Sequence, residues 1–439
     1  MKKLRYYFRT IEQLPALLFT LKWLLIACLV GVAAGSASAF FLISLHWVTN
    51  YREENLWIIS MLPLGGLMIG LSYHYLGQNV VKGNNQIIDE ILIPQNIISM
   101  RMTPLVLFGT LVTHLFGGSA GREGTAVQMG SSIADQFTKL FGFRSRDRKI
   151  LLIMGISAGF ASVFGTPLAG AVFAMEVLVL GRIRYDAILP SFLAALLADY
   201  VCQVLWGVGH THYQIPLVPA MTPQNLLWAV LAGVLFGLAG MLFAKAIHFW
   251  GSFFKRTIAW APLRPFAGGA VIALSVYLLG TTKYIGLGVP TIVDAFQEVL
   301  PLYDFAVKIL YTSFTLGAGF KGGEVTPLFF TGATLGNALS SFIPLPLALL
   351  AGMGFVGVFS GATNTPLACT FMGIELFGIE PGLFVAVACV TAYLFSGHSG
   401  IYGSQLLGTP KHLLFGLEKG KTLFEIGQLR KKSRRFKKE

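Results

Sequence analysis

Long apolar runs, too many for any soluble core, decide what this chain can fold into. The run at residues 16–48 carries a single charge, Lys22, and further runs lie at 150–180, 225–250, 266–282 and 345–360. About 20 apolar residues in a helix cross ~30 Å of hydrocarbon. Alternating ten-residue strands are absent, so helices are the spanning elements. The composition agrees: 54% of residues are hydrophobic and 12% charged, against ~25% charged in an ordinary soluble chain. The fold class is an all-α integral membrane protein that crosses the bilayer many times.

The net charge is +13, and much of it sits in "MKKLRYYFR" (1–9) and "LRKKSRRFKK" (429–438). No soluble domain accompanies these segments, which argues against nucleic acid as a partner. Lys and Arg are retained on the cytoplasmic side of membrane proteins, and "FRSRDRK" (143–149) and "GRIR" (181–184) fit that side as well. The expected layout is a cytoplasmic N-terminus at 1–15, a transmembrane domain at 16–410 and a basic cytoplasmic tail at 411–439. Both termini inside the cell membrane require an even number of crossings, and anionic lipid is a natural contact for the tail. "GSASA" (35–39) imitates a signal-peptide cleavage site, but the apolar run continues to residue 48, so an uncleaved long first helix is expected. Cys28, Cys202, Cys369 and Cys389 lie in apolar runs without metal-ligand spacing. They are expected as small core residues, with neither metal nor cofactor implied.

The chain repeats itself. "FGTPLAGAVFAME" (164–176) parallels "TNTPLACTFMGIE" (363–375), with Thr-Pro-Leu-Ala and the glutamate in register 199 positions apart. Ahead of each copy lies a Gly-rich element with a carboxylate: "GREGTAVQMG" (121–130) and "KGGEVTPLFFTG" (321–332). Paired repeats in one order predict two halves, about 16–210 and 220–410, related by a pseudo-two-fold axis with the site between them. Gly and Pro break the apolar runs at these places. Broken backbone at membrane depth is tolerated only where it lines a cavity or is buried in protein. The starts of broken helices carry unpaired N–H groups and positive dipole ends, which bind anions.

Three polar elements lie at such breaks, "VKGNNQIIDEIL" (81–92), "GSAGREGTAVQ" (118–128) and "GAGFKGGEVTPLF" (317–329), and a fourth, "SGHSGIYGSQ" (396–405), follows the last span. In these the chain resembles the CLC family of chloride channels and proton-coupled anion antiporters. "GREGTAVQ" is similar to that family's GREGP-x-VQ element, "GGEVTP" stands in place of GG-x-F-x-P, "GNNQIID" in place of GSGIP, and Tyr402 where the family has its pore tyrosine. The resemblance covers about residues 60–405. Departures narrow it: Asn84 replaces the anion-contacting Ser, Val325 replaces an aromatic and follows the carboxylate Glu324, Thr125 replaces Pro, and Val177 replaces the inner proton-handling glutamate. Together these resemble the fluoride-exporting branch of proton-coupled antiporters. The resemblance implies a CLC-like fold with two inverted halves of tilted and broken helices, a homodimer, and fluoride and protons as cargo.

Glu123 is then expected to gate. Ionised, its carboxylate can occupy an anion position like a tethered ligand; protonated, it loses affinity for that position. Adjacent residues on a helix do not face each other, so a static pair with Arg122 is unfavourable. Glu324 is expected either in the proton path or in a salt bridge with Lys321. Gly83, Asn84, Gly121, Arg122, Gly124, Val325, Thr326 and Tyr402 are the expected anion-site residues, with Asn84, Thr326 and Tyr402 offering amide and hydroxyl donors. The donor chemistry suits any small anion; the preference for fluoride over chloride comes from the resemblance, and a chloride/proton antiporter or chloride channel remains open.

An enzyme is the competing class. "GGSAG" (117–121) and "GISAG" (155–159) match G-x-S-x-G but lie in long helical runs and lack the strand-turn-helix setting of a nucleophile elbow. "GHSG" (397–400) resembles the motif of rhomboid intramembrane serine proteases, but only His412 follows it.

Overall fold

The computed structural model describes residues 13–436, with side chains to residue 430. The basic start at 1–9 and the tail side chains beyond residue 430 lie outside the described residues. The first half comprises α1 (Gln13–Glu54), α2 (Leu62–Tyr75), α3 (Asn84–Leu92), α4 (Met102–Leu115), α5 (Glu123–Phe141), α6 (Ser145–Phe164), α7 (Pro167–Glu176) and α8 (Ile188–Tyr200). After a loop come α9 (Pro223–Thr257), α10 (Leu263–Leu279), α11 (Val289–Asp294), α12 (Asp304–Ala318), α13 (Val325–Leu339), α14 (Leu347–Thr363), α15 (Pro366–Phe377) and α16 (Gly382–Phe395), then α17 (Leu423–Phe436). Among the described residues the strands are a two-residue parallel pair, β1 (Val179–Leu180) with β2 (Leu406–Leu407).

Among the described residues, four stretches are long and apolar enough to cross a bilayer: Gln13–Glu54, Leu56–Tyr75, Tyr185–Leu205 and Pro223–Thr257. Apolar helices of 10–17 residues fill the spaces between them. α1 runs unbroken through "GSASA", and its outer face carries exposed leucines and the exposed Cys28, while the other three cysteines are buried.

The run at 150–180 is two helices. α6 stops at Phe164 because Gly165 turns left-handed (φ 69°), and Pro167 then opens α7 after a non-helical Thr166. The second half does the same: α14 stops at Thr363 because Asn364 turns left-handed (φ 60°), and Pro366 opens α15 after a non-helical Thr365. A residue before proline is pushed out of helical conformation, so the shared Thr-Pro fixes both breaks.

The repeat glutamates join the halves. Glu176, at the end of α7, accepts N–H bonds from Leu367 (3.2 Å) and Ala368 (2.9 Å) in the first turn of α15. Glu375, near the end of α15, accepts from Leu168 and Ala169 in the first turn of α7, both at 2.8 Å. Each carboxylate thus satisfies orphan amides at the positive end of the other half's helix. Glu375→Gln keeps one acceptor and loses the charge, so it should lower stability by about 1–2 kcal/mol, read as a lower thermal midpoint in detergent. An unchanged midpoint would remove the cap from the account of stability.

Close helix packing follows an i,i+4 glycine pair in each half. A Cβ on Gly332 or Gly336 of α13 would lie 2.0 Å from a carbonyl oxygen of α14, and a Cβ on Gly159 of α6 would lie 2.3 Å from one of α5. Where helices share no water to expel, such small residues are what allow contact.

Arg148, in the first turn of α6, fixes α3 against α5. It donates to both Asp135 oxygens (2.8 Å each), to Glu90 (3.0 Å) and to the Asn96 carbonyl (2.6 Å). Arg148 and Asp135 are 5% and 0% exposed. One charge of the basic "FRSRDRK" stretch is therefore consumed inside the protein, where it holds the helix that begins with Asn84.

Candidate functional site

The site is built where the two Gly-rich loops meet. Gly121 N–H donates to the Gly323 carbonyl at 2.6 Å, and Gly323 N–H donates back to Gly121 at 2.7 Å. This miniature antiparallel bridge lays the starts of α5 and α13 side by side. Neither glycine tolerates a side chain: a Cβ on Gly323 would sit 2.7 Å from Gly124 N, and one on Gly121 would sit 2.8 Å from the Glu123 carboxylate.

Glu123 opens α5, and its carboxylate reaches across to the start of α13. It is fully buried. One oxygen accepts from the Thr326 hydroxyl; the other accepts from the Thr326 and Arg122 backbone N–H groups, both at 3.1 Å. The carboxylate therefore lies on unpaired amides at the positive ends of two helices, a setting that suits an anion. The Arg122 guanidinium contributes less. Its Nε is 3.6 Å from the carboxylate and has no hydrogen-bond partner, so the contact is a loose ion pair.

Asn84, Gly83 and Glu324 gather on the other side of Gly124. Gly83 turns with φ 56° to start α3 and packs on the Gln128 amide. The space that a Cβ on Gly124 would take is bounded by the Asn84 amide at 3.0 Å and Glu324 Oε2 at 3.6 Å. Asn84 Oδ1 and Glu324 Oε2 are both buried without a hydrogen-bond partner. Lys321 makes no salt bridge with Glu324; its ammonium lies 4.0 Å from the centre of the Tyr73 ring. Val325 is buried, and its side chain carries no polar group. The Thr125 hydroxyl pairs with Thr110 of α4 at 2.7 Å.

Tyr402 is 5% exposed, with Glu324 and Glu123 as its charged neighbours. Its loop is tied to the rest of the site. Ser404 N–H donates to the Asn85 side chain at 2.9 Å, and Gln405 donates to the carbonyls of Val177 (2.8 Å) and Thr363 (2.7 Å). The position that lacks the inner glutamate thus serves as a hydrogen-bond acceptor through its backbone.

Three basic residues behind the 117–121 loop escaped the motif reading. Lys308, fully buried, donates to the carbonyls of Tyr284 (3.0 Å) and Gly286 (2.9 Å), and Gly286 N–H in turn donates to Gly118 at 3.0 Å. Arg52 donates to the His114 carbonyl at 3.0 Å, and the buried His114 ring has no hydrogen-bond partner. A lone lysine inside the apolar α12 was the one available signal, because a buried intramembrane charge is costly.

The serines of the protease-like motifs are engaged elsewhere. Ser119 pairs with Thr312 (2.9 Å), Ser157 donates to the Ser191 carbonyl (2.8 Å), and Ser399 donates to the Ser396 carbonyl (2.8 Å).

Comparison with known proteins agrees with this architecture. The family model described as voltage gated chloride channel matches residues 65–397. A "Chloride/fluoride channel protein" of Pseudomonas syringae pv. tomato is 54% identical over 411 residues, covering 92% of this chain and 91% of that protein. An "H(+)/Cl(-) exchange transporter ClcA" of Vibrio vulnificus is 27% identical over 420 residues, covering 88% of this chain and 89% of that one. Among solved structures, a CLC-type fluoride/proton antiporter superposes with a TM-score of 0.85 at 35% identity, covering 88% of this chain and 97% of that one. A cyanobacterial Cl−/H+ antiporter, 20% identical, shares the fold with a TM-score of 0.76, covering 93% of this chain and 97% of that one. The matched span, the broken helices and the bridged glycine loops agree: the chain belongs to the CLC family of voltage-gated chloride channel proteins.

Proposed function

We propose that the protein is a fluoride/proton antiporter that exports cytoplasmic fluoride in exchange for external protons. The observation that carries this reading is the seat of the Glu123 carboxylate. Two N–H groups and one O–H group from two helix starts hold it. Such a donor set binds a hard, small anion as well as it binds a carboxylate. Protonation removes the charge that the helix ends attract, so the side chain leaves and an anion takes its donors. Proton and anion thereby compete for one position, the minimum that exchange requires. Asn84, Thr326 and Tyr402 add amide and hydroxyl donors that replace the water of a strongly hydrated ion. The backbone at Gly83, Gly121, Gly124 and Val325 approaches the ion closely, and Arg122 attracts it from nearby. Glu324, with an unpartnered oxygen beside Gly124, is the second proton-carrying group. The relatives named for fluoride support that ion. The protein is further proposed to work as a homodimer with one pathway per subunit, in the cell membrane, with both termini in the cytoplasm.

Flux from vesicles tests the reading. Purified protein in vesicles loaded with fluoride or chloride should release fluoride with an opposite movement of protons, and chloride far more slowly. Equal chloride turnover would make it a chloride/proton antiporter, anion flux without protons a channel, and no anion flux at all would remove it from transport.

A further inference from the structure

Beyond the Tyr402 loop the chain is clamped to the membrane helices by its polar groups and left bare on its apolar side. Lys411 Nζ donates to Asn364 Oδ1 (2.6 Å), the Tyr393 carbonyl (2.5 Å), Ser396 Oγ (3.0 Å) and the Gly397 carbonyl (2.7 Å), at the ends of α14 and α16. The next residues form a short helical turn, Leu413–Glu418, capped by the His412 ring. Glu418 holds that turn down through His398 (2.7 Å) and Arg430 (2.7 and 2.8 Å). Phe415 packs edge-on against His398, with the Arg430 guanidinium above its ring, and keeps part of its surface exposed. These contacts fix which way the turn faces, and Leu413, Leu414 and Leu417 are left 95%, 83% and 91% exposed. Phe424, at the start of α17, is exposed beside them.

Three leucines left this exposed among the described residues by a well-bonded turn mark an interaction surface. Its chemistry is apolar at the tip and basic at the flanks, with His412, Lys419 and Lys421 on either side and Lys431, Lys432, Arg434 and Arg435 following in the chain. Glu418, the acid within the turn, is consumed by its own contacts. The clamp at Lys411 keeps the turn at the ends of membrane helices, within reach of the leaflet on that side. We propose that the 413–424 segment docks on that leaflet, its leucines among the acyl chains and Lys419 and Lys421 on anionic phospholipid headgroups. The charge on the flanks is what favours lipid over a second copy of the same basic segment. The inference does not depend on which ion the protein carries.

Fluorescence depth measurement tests it on the full chain in vesicles. Cys28→Ser removes the one exposed cysteine, and Leu414→Cys or, independently, Leu417→Cys carries an environment-sensitive label. Docking predicts quenching by lipids brominated on their acyl chains and protection from aqueous iodide, while a label at Lys419→Cys stays accessible to iodide. In phosphatidylglycerol vesicles the docked-to-free ratio should exceed that in pure phosphatidylcholine by about tenfold, the scale expected for one or two lysines on an anionic surface. Lys419→Glu with Lys421→Glu should erase that difference. Iodide access at both leucine positions would overturn the proposal. So would equal docking in both lipids, or pyrene excimers between labels at 414, which would place a second copy on the turn.

Discussion

Replacing Glu123 by glutamine is expected to bring proton transport down to that of protein-free vesicles. Glutamine has the shape of the native side chain, so the bridge between the glycine loops and the start of α5 should survive. Its chemistry is different. A carboxylate accepts from the Thr326 and Arg122 N–H groups on one oxygen and from the Thr326 hydroxyl on the other; an amide offers one acceptor and turns an NH2 toward donors. Hydrogen bonds to a charged group are worth about 1.5–3 kcal/mol each, and most of that disappears. An amide also carries no exchangeable proton across the transport cycle. Anion movement, if retained, should run down its own gradient without regard to pH. A pH-sensitive dye and a fluoride electrode in one vesicle preparation measure both fluxes. Normal coupled exchange in the variant would end the assignment of Glu123.

The second large effect concerns stability. Arg148→Met should destabilise the protein by about 3–5 kcal/mol, the cost of removing one partner from a buried ion pair. The variant leaves Asp135, fully buried, with only the Ile98 N–H and the Thr138 hydroxyl, and leaves Glu90 without its cation. Because α3 is held through this cluster, fluoride transport should weaken along with the thermal midpoint. Adding Asp135→Asn and Glu90→Gln to Arg148→Met should restore part of the loss, since neutral amides do not suffer from the missing charge. A midpoint unchanged in the single variant would show that the cluster is dispensable.

Much of the architecture was legible because membrane chains write hydrophobicity and its interruptions plainly. The first helix and the breaks that generate short helices follow from runs of apolar residues and from Gly and Pro. By hydropathy alone the run at 150–180 is continuous, and it is Gly165 and Pro167 within it that mark the break between α6 and α7. The repeated glutamates were visible as a pattern, but not as caps: the amides that Glu176 and Glu375 satisfy lie 191 to 207 residues away. The opposite error threatened at Lys321 and Glu324, three residues apart, which look like partners. The lysine instead turns to Tyr73, its ammonium 4.0 Å from the ring centre. Lys308 and Arg52 belong to no motif, and it is the fold that shows which carbonyls they hold.

The mutual caps of α7 and α15 also bear on biogenesis. At about 5–20 residues per second, the ribosome delivers Glu375 some 10–40 s after Leu168, the 207 residues between them being read out in order. For that interval the amino-terminal portion must wait in the translocon or bilayer with bare amides at the start of one helix and a carboxylate at its end. Nascent chains halted before the second copy therefore make ready clients for membrane quality control, and arrival of that copy is the event that releases them.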